Sequence, residues 1–344
     1  MNHQNVTIIL HDLIRISGNN YQDDQLQGIP NILSKFYNKM RNFKKKVPFS
    51  LNFEFVASIK AKDVVDVRIS HSCNCILGLC NNEQDDDFFI FDLNTHELVR
   101  KFSTIGRPSY FDIEENYDGN GHDAVVYGGS NGVVKHDLNK LLDGHDVHDY
   151  IWQVPEIKNS RGIVSTKHET TNTIYVSYED TCNCIAALNS RTGEILFKMG
   201  KDFSNNFQLE LASGLEMSNT NDVLFVSDCN MKRIHKLSRS HCHSDLQTNT
   251  HTETHSWRSE CIFEDAGIKY PDGLVFDSVS RHVLVCDSVK GGIIVYQENG
   301  KFVKFVRSSE EDSHELNGPT GLCLDEQTGF LYVADESNHI QIFQ

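Results

Sequence analysis

The chain reads as an all-β protein: a ring of six four-stranded antiparallel blades. Three observations predict it. One phrase recurs six times, and its last copy is the fullest: Gly318–Phe343, GPTGLCLDEQTGFLYVADESNHIQIF, with an apolar strand after Pro-x-Gly, a turn, a strand ending Ala334-Asp335, and a third strand after Asn338. The first-strand apolar residues Val67, Phe111, Ile163, Leu215, Leu274 and Leu322 fall 44, 52, 52, 59 and 48 residues apart, close to the period of a four-stranded propeller blade. The runs inside each copy are short and rich in β-branched and aromatic residues, with Gly, Asn, Asp and Ser between them, which is the pattern of strands and turns.

The copies degrade toward the N-terminus. The fifth, Tyr270–Tyr296, and the fourth, Leu211–Leu237, end their second strands on Asp287 and Asp228, as the sixth ends on Asp335. These aspartates suit a turn role, because the carboxylate can accept backbone N–H bonds. The third copy, Ser160–Leu188, has Ser177-Tyr178 at that point, the second, Arg107–Leu138, has Gly128-Gly129, and the first lies near Val64–Leu93. A fourth strand follows most copies, at Leu98–Phe102, Tyr150–Val154, Ile195–Lys198, Cys261–Glu264 and Lys301–Val306. The sixth copy lacks one. Asn52–Ile59, NFEFVASI, is similar to Lys301–Arg307 and is predicted to supply it, closing the ring so that few strand edges stay open.

Pro-x-Gly-apolar, then apolar-Val-Ala-Asp, then Asn-x-x-Ile-x-apolar resembles the NHL repeat. The likeness covers about residues 53–344 and is strongest in the last three copies. It implies a six-bladed propeller that binds proteins, often beside ubiquitin-ligase modules. No paired Cys-x-x-Cys set of a RING or B-box precedes the repeats here, so a ubiquitin role would need a separate ligase.

Outside the repeats, residues 1–50 form an extension. Ile32, Leu33, Phe36, Tyr37, Met40 and Phe43 recur at three- and four-residue steps, predicting an amphipathic helix over about 29–46. Its stretch 31–46 has six basic residues and no acidic one. Three roles stay open for it: packing on the acidic body, docking into a partner's groove, or lying on an anionic membrane surface.

The formal net charge is −16, from 32 basic and 48 acidic residues. Such a surface repels phosphates and argues against nucleic acid, although some NHL propellers bind RNA through a basic face. No long apolar run predicts a membrane span. Ten cysteines, several inside strands, read as reduced thiols of a cytoplasmic protein, and no secretory signal is expected.

Three groups are candidates for chemistry. His241, Cys242, His243, His251 and His255 crowd the fourth-blade insertion, Arg239–Glu260, predicted as a solvated loop; their types suit zinc but their spacing does not match a known finger. Asp118, Asn120 and Asp123 alternate with glycines in the manner of a calcium loop, with few carboxylates. Residue x of each Pro-x-Gly is predicted to face the central channel: Val65, Ser109, Arg161, Ser213, Asp272 and Thr320. Gluconolactonase-like hydrolases of similar fold hold a divalent ion with Glu, Asn and Asp, and the peptide-amidating lyases hold zinc with histidines. Asp272 looks like the hydrolase Asp, while Ser213 and Val65 stand at the Asn and Glu positions. Asp272 is expected to pair with Arg161 across the channel or to cap a strand. The sequence favours a non-catalytic interaction scaffold without a cofactor, with protein partners; a metal-dependent hydrolase and an RNA-binding propeller are the alternatives.

Overall fold

The computed structural model describes residues 46–81, 87–166, 172–179, 183–200, 207–240, 256–264, 267–307 and 316–344. The predicted helix face and the five His and Cys residues of the insertion lie outside them.

Six four-stranded antiparallel sheets are present among the described residues. Blade 1 runs β2 (Val64–Ser70), β3 (Cys75–Cys80), β4 (Asp87–Asp92) and β5 (Leu98–Ser103). Blade 2 runs β6 (Phe111–Glu114), β7 (Ala124–Gly129), β8 (Gly132–Asp137) and β9 (Trp152–Val154), and blade 3 runs β10 (Ser160–Ser165), β11 (Thr173–Tyr178), β12 (Cys184–Asn189) and β13 (Ile195–Met199). Blade 4 contains β14 (Ala212–Met217), β15 (Val223–Asp228), β16 (Arg233–Ser240) and β17 (Ser256–Phe263). Blade 5 contains β18 (Pro271–Asp277), β19 (His282–Asp287), β20 (Gly292–Gln297) and β21 (Phe302–Val306). Blade 6 joins β22 (Gly321–Asp325), β23 (Phe330–Asp335) and β24 (His339–Phe343) to β1 (Phe55–Lys60) from the start of the chain. β1 runs antiparallel to β24, with Phe55 opposite Phe343 and Ile59 opposite Ile340, so the ring closes as the repeat pattern predicts.

The inner strands β2, β6, β10, β14, β18 and β22 touch in cyclic order, each beside the next. The six phase-marking residues, Val67 through Leu322, are all buried. They belong to a core divided into six clusters, each spanning one blade interface. Leu77, Phe88 and Ile90 of blade 1 pack on Phe111, Val125 and Tyr127 of blade 2, and Ile59, Ile340 and Ala334 pack on Val67 and Ile76 across the closure. The repeat is therefore obligatory: one blade alone has an apolar face and nothing to cover it.

Two features depart from the sequence expectations. The insertion Arg239–Glu260 is not wholly loop. β16 continues to Ser240 and pairs with Ser256 at the start of β17, because Trp257 is 2% exposed and sets its ring edge-on to Tyr175, 5.6 Å between centroids. A short helix, α1 (Leu138–Asp143), follows β8. Asp137 caps it by accepting from the Lys140 amide, and Gly144 ends it in the left-handed region at φ 96°.

Candidate functional site: the central channel

Each inner strand enters at the Pro-x-Gly end, and there the blades meet most closely. A Cβ on Gly214 would stand 2.5 Å from the Asp272 carbonyl oxygen of the next blade, and one on Gly321 would stand 2.6 Å from Asp66 Cα. Glycine lets the inner strands touch, and hydrogen bonds then link each to its neighbour. Ser227 Oγ accepts from the Gly214 amide at 2.6 Å and donates to the Asp272 carbonyl at 2.6 Å. Ser177 repeats this one blade earlier, accepting from Gly162 and donating to the Ala212 carbonyl. The Gly273 amide reaches the Thr320 carbonyl at 2.8 Å, and Thr320 Oγ1 donates to the Val65 carbonyl at 2.7 Å.

The three aspartates that end second strands hold this same end. Asp228 accepts from the amides of Glu210, Leu211 and Met231, and Asp287 from those of Lys269, Tyr270 and Lys290. Asp335 accepts from the amides of Asn317 and Ser337, from Ser337 Oγ and from Gln341 Nε2. Each carboxylate ties the turn after its own strand to the segment leading into the inner strand. Those amides would otherwise go unpaired beside the channel.

Blades 1 and 2 place side chains where the others place that glycine, Asp66 and Tyr110, and both are buried. Tyr110 stands at the glycine position of blade 2. Its hydroxyl donates to Asp272 Oδ1 of blade 5, the blade opposite in the ring, at 2.8 Å. Ser288 Oγ donates to Asp272 Oδ2 at 2.9 Å, so both oxygens of Asp272 have partners. Burial raises the Asp272 pKa above the usual carboxylate range, against the pull of these hydrogen bonds and of Arg161. Burial, with Asp272 beside it, pushes Tyr110 well up.

Asp66 stands at the glycine position of blade 1. It accepts from the Val67 and Phe111 amides and from Arg68 Nη1 at 2.7 Å. Arg68 Nη1 also donates to the Leu322 carbonyl, and its Nε lies 3.6 Å from Asp112, which accepts from the Ser165 amide. This network stitches the inner strands of blades 6, 1, 2 and 3 together. Burial pushes Asp66 up to about 6, opposed by Arg68. Burial works against the Arg68 charge too, but Asp66 and Asp112 outweigh it and hold the guanidinium protonated.

The six predicted channel residues are thus not one ligand set. Arg161 does not pair with Asp272: its Nε donates to Glu179 of its own blade at 2.7 Å. Ser213 lies near Cys229, whose thiol contacts Ser213 Oγ at 3.0 Å and the Pro271 carbonyl at 2.7 Å. Thr320 and Val65 join blades 6 and 1, and Ser109 directly precedes Tyr110 on the way into β6. Among the described residues, no three of His, Cys, Asp and Glu come together in a way that could hold a metal ion. The calcium-like loop does not converge. Asp118 accepts from the Asn120 and His122 amides, whereas buried Asp123 turns to Ser70 Oγ at 2.6 Å and the Asn116 amide.

A further buried charge lies on the seam of blades 2 and 3. Lys135 Nζ donates to Glu114 Oε2 at 2.6 Å and to the Ser190 carbonyl and Oγ, both at 2.9 Å. Each partner is satisfied, and the cluster acts as a polar rivet between blades. The sequence pattern did not reveal Asp66, Arg68, Tyr110, Asp112 or Lys135. Asp66 and Tyr110 had a visible signal: each breaks the Pro-x-Gly register.

These features define a six-bladed β-propeller with a channel occupied by its own side chains. The family profile of the NHL repeat matches residues 316–343, so the sixth blade is an NHL repeat. No curated protein sequence matches the chain. Solved structures share the fold. The β-propeller domain of Cps50 (Swd1) from Myceliophteria thermophila is 12% identical with a TM-score of 0.56, covering 85% of this chain and 99% of that one. Regucalcin, a calcium-binding protein of Agrobacterium tumefaciens, is 11% identical with a TM-score of 0.57, covering 85% and 94%. A luciferin-regenerating enzyme is 14% identical with a TM-score of 0.56, covering 84% and 95%. At these identities the likeness is one of fold.

Proposed function

We propose that the protein is a non-catalytic interaction scaffold that presents one propeller face to a protein partner. The observation that carries this is the Tyr110–Asp272 hydrogen bond across the channel. With Ser288 it engages both oxygens of the carboxylate that a hydrolase of this fold would use for a metal. Ser213 and Val65, in place of the other two ligands, offer a neutral hydroxyl and an alkyl group, and one carboxylate binds a divalent ion weakly against water. Among the described residues, Cys73, Cys75, Cys229, Cys261, Cys286 and Cys323 carry free thiols, which fits a reducing, cytoplasmic setting. No described helix is long and apolar enough to cross a membrane. A ubiquitin-linked role belongs to the partner, which would carry the ligase.

Two turn tips at opposite ends of β19 distinguish the faces: Val289, 71% exposed, and Val279, 44% exposed. A partner recovered with the full chain and identified is expected to lose binding with one of Val289→Arg and Val279→Arg and to keep it with the other, while the melting temperature holds. Metal analysis of the same preparation gives the opposing test. About one calcium, zinc or manganese ion per chain, lost in Asp272→Ala, would overturn the scaffold reading in favour of a hydrolase.

A further inference from the structure

Cys73 and Cys75 flank Asn74 in the turn between β2 and β3. Asn74 adopts φ 53°, in the left-handed region that Asn tolerates, and this bends the backbone between the cysteines. The bend is held on both sides: the Cys73 amide donates to Ser70 Oγ at 3.1 Å, Asn74 Nδ2 to Asp92, and the Leu93 amide to the Asn74 carbonyl. Both side chains turn to the same cluster between blades 1 and 2, with Cys75 inside it and Cys73 packed at its margin. Cys73 Sγ also lies 3.7 Å from Asn139 Oδ1. The two thiols differ in access, since Cys75 is 3% exposed and Cys73 is half-buried.

We propose that Cys73 and Cys75 are a reversible redox site that gives two electrons to small disulfides of the glutathione class and becomes a disulfide itself, Cys73 as the attacking thiol and Cys75 as the resolving one. Cys73 sulfur attacks one sulfur of the small disulfide and releases the other half as a thiolate. Cys75 then gives its proton to that thiolate and attacks the Cys73 sulfur, releasing the second half as a thiolate that takes a proton from water. The two protein thiols lose two electrons and two protons, and the small disulfide becomes two thiols. A turn between cysteines two residues apart draws their Cα atoms within the span a disulfide bridges, about 4.4–6.8 Å.

The electrostatics support this division of roles. The neighbouring Cys75 thiol is the largest cause holding the Cys73 pKa down to about 7, with help from Ser70 and Ser72 and against burial. Cys73 beside it, and then burial, push Cys75 up. Cys73 is the sulfur ionised near neutrality, and Cys75 loses its proton only once Cys73 is in the mixed disulfide.

The test uses the full chain equilibrated in glutathione buffers. Free thiols are blocked, then disulfides are reduced, relabelled and mapped by mass spectrometry. Cys73 and Cys75 are expected to carry the second label together, with Cys80 on the same strand as an unlabelled control. Cys73→Ser should cut Cys75 oxidation by about tenfold or more, and Cys75→Ser should leave Cys73 as a stable mixed disulfide with glutathione. At pH 7 Cys73 should alkylate about tenfold faster than a peptide thiol. Undiminished Cys75 oxidation in Cys73→Ser would overturn the proposal. So would a wild-type Cys73 that stops at the mixed disulfide, or a pair that stays reduced.

Discussion

Blades 4–6 and blades 1–3 share one architecture but hold it differently. In blades 4–6 the repeat is intact: glycine lets the inner strands touch, and Asp228, Asp287 and Asp335 gather amides at the same end. In blades 1–3 the second strands end on Cys80, Gly129 and Tyr178, and two of the three glycine positions hold Asp66 and Tyr110. Hydrogen bonds between blades replace the lost ones within blades. Ser70 reaches Asp123, and Lys135 and Glu114 of blade 2 both bond to Ser190 of blade 3. The regular half shows what the repeat needs in order to fold. The irregular half shows what can change once its neighbours supply the stability, and one of its changes, Tyr110, reaches across the channel to Asp272.

Restoring the repeat in blade 2 is the severest way to break this comparison. Gly129 corresponds to Asp287, but a Cβ there would lie 2.7 Å from the Arg107 carbonyl. Gly129→Asp is expected to lose more than about 4 kcal/mol, read by denaturant unfolding, despite matching the consensus. Stabilisation would show that blade 2 only lacks its cap. Asp287→Ala should cost about 3 kcal/mol, because three amides lose a charged acceptor; a loss under about 1 kcal/mol would mean that water replaces it.

The channel network gives the third test, through pH. The Asp66 pKa is raised to about 6 from 3.8, so the folded state binds this proton more tightly than the unfolded state. The stabilising contribution is fully present below pH ~4 and is lost as pH rises through ~6. Wild type should therefore gain about 2 to 3 kcal/mol relative to Asp66→Asn on acidification across that window, and parallel melting curves would reject the shift. The smallest effect belongs to Tyr110→Phe, which removes only the hydroxyl facing Asp272. About 1 to 2 kcal/mol is expected, together with a change in the Asp272 titration measured by carboxylate NMR.

Much of the ring was legible because burial follows local pattern. The residues that set the phase, Val67 through Leu322, could be placed by period alone, and Asn52–Ile59 could be matched to the strand missing from blade 6. Tyr110 and Asp66 were visible as breaks in the register, but their partners were not. Asp272 meets Tyr110 only because six blades bring opposite strands face to face, which no local window contains. The Arg161–Asp272 pairing failed for the same reason, since Glu179 was the nearer carboxylate. α1 was marked by Asp137 and Gly144, yet six residues leave too little periodicity to register. The β16–β17 extension depended on Trp257 finding Tyr175 of blade 3.

The seam between β1 and β24 also governs when the molecule can exist. Lys46 and Glu326 pair across 280 positions of sequence, and β1 pairs with β24, the last strand of the sixth blade. During synthesis at the ribosome, the first strand must wait for the last to emerge before either has its hydrogen-bonding partner. Blades 1–5 can assemble as they appear, but the circle waits for β24, so a chain that lacks this strand should remain an open arc with two exposed ends.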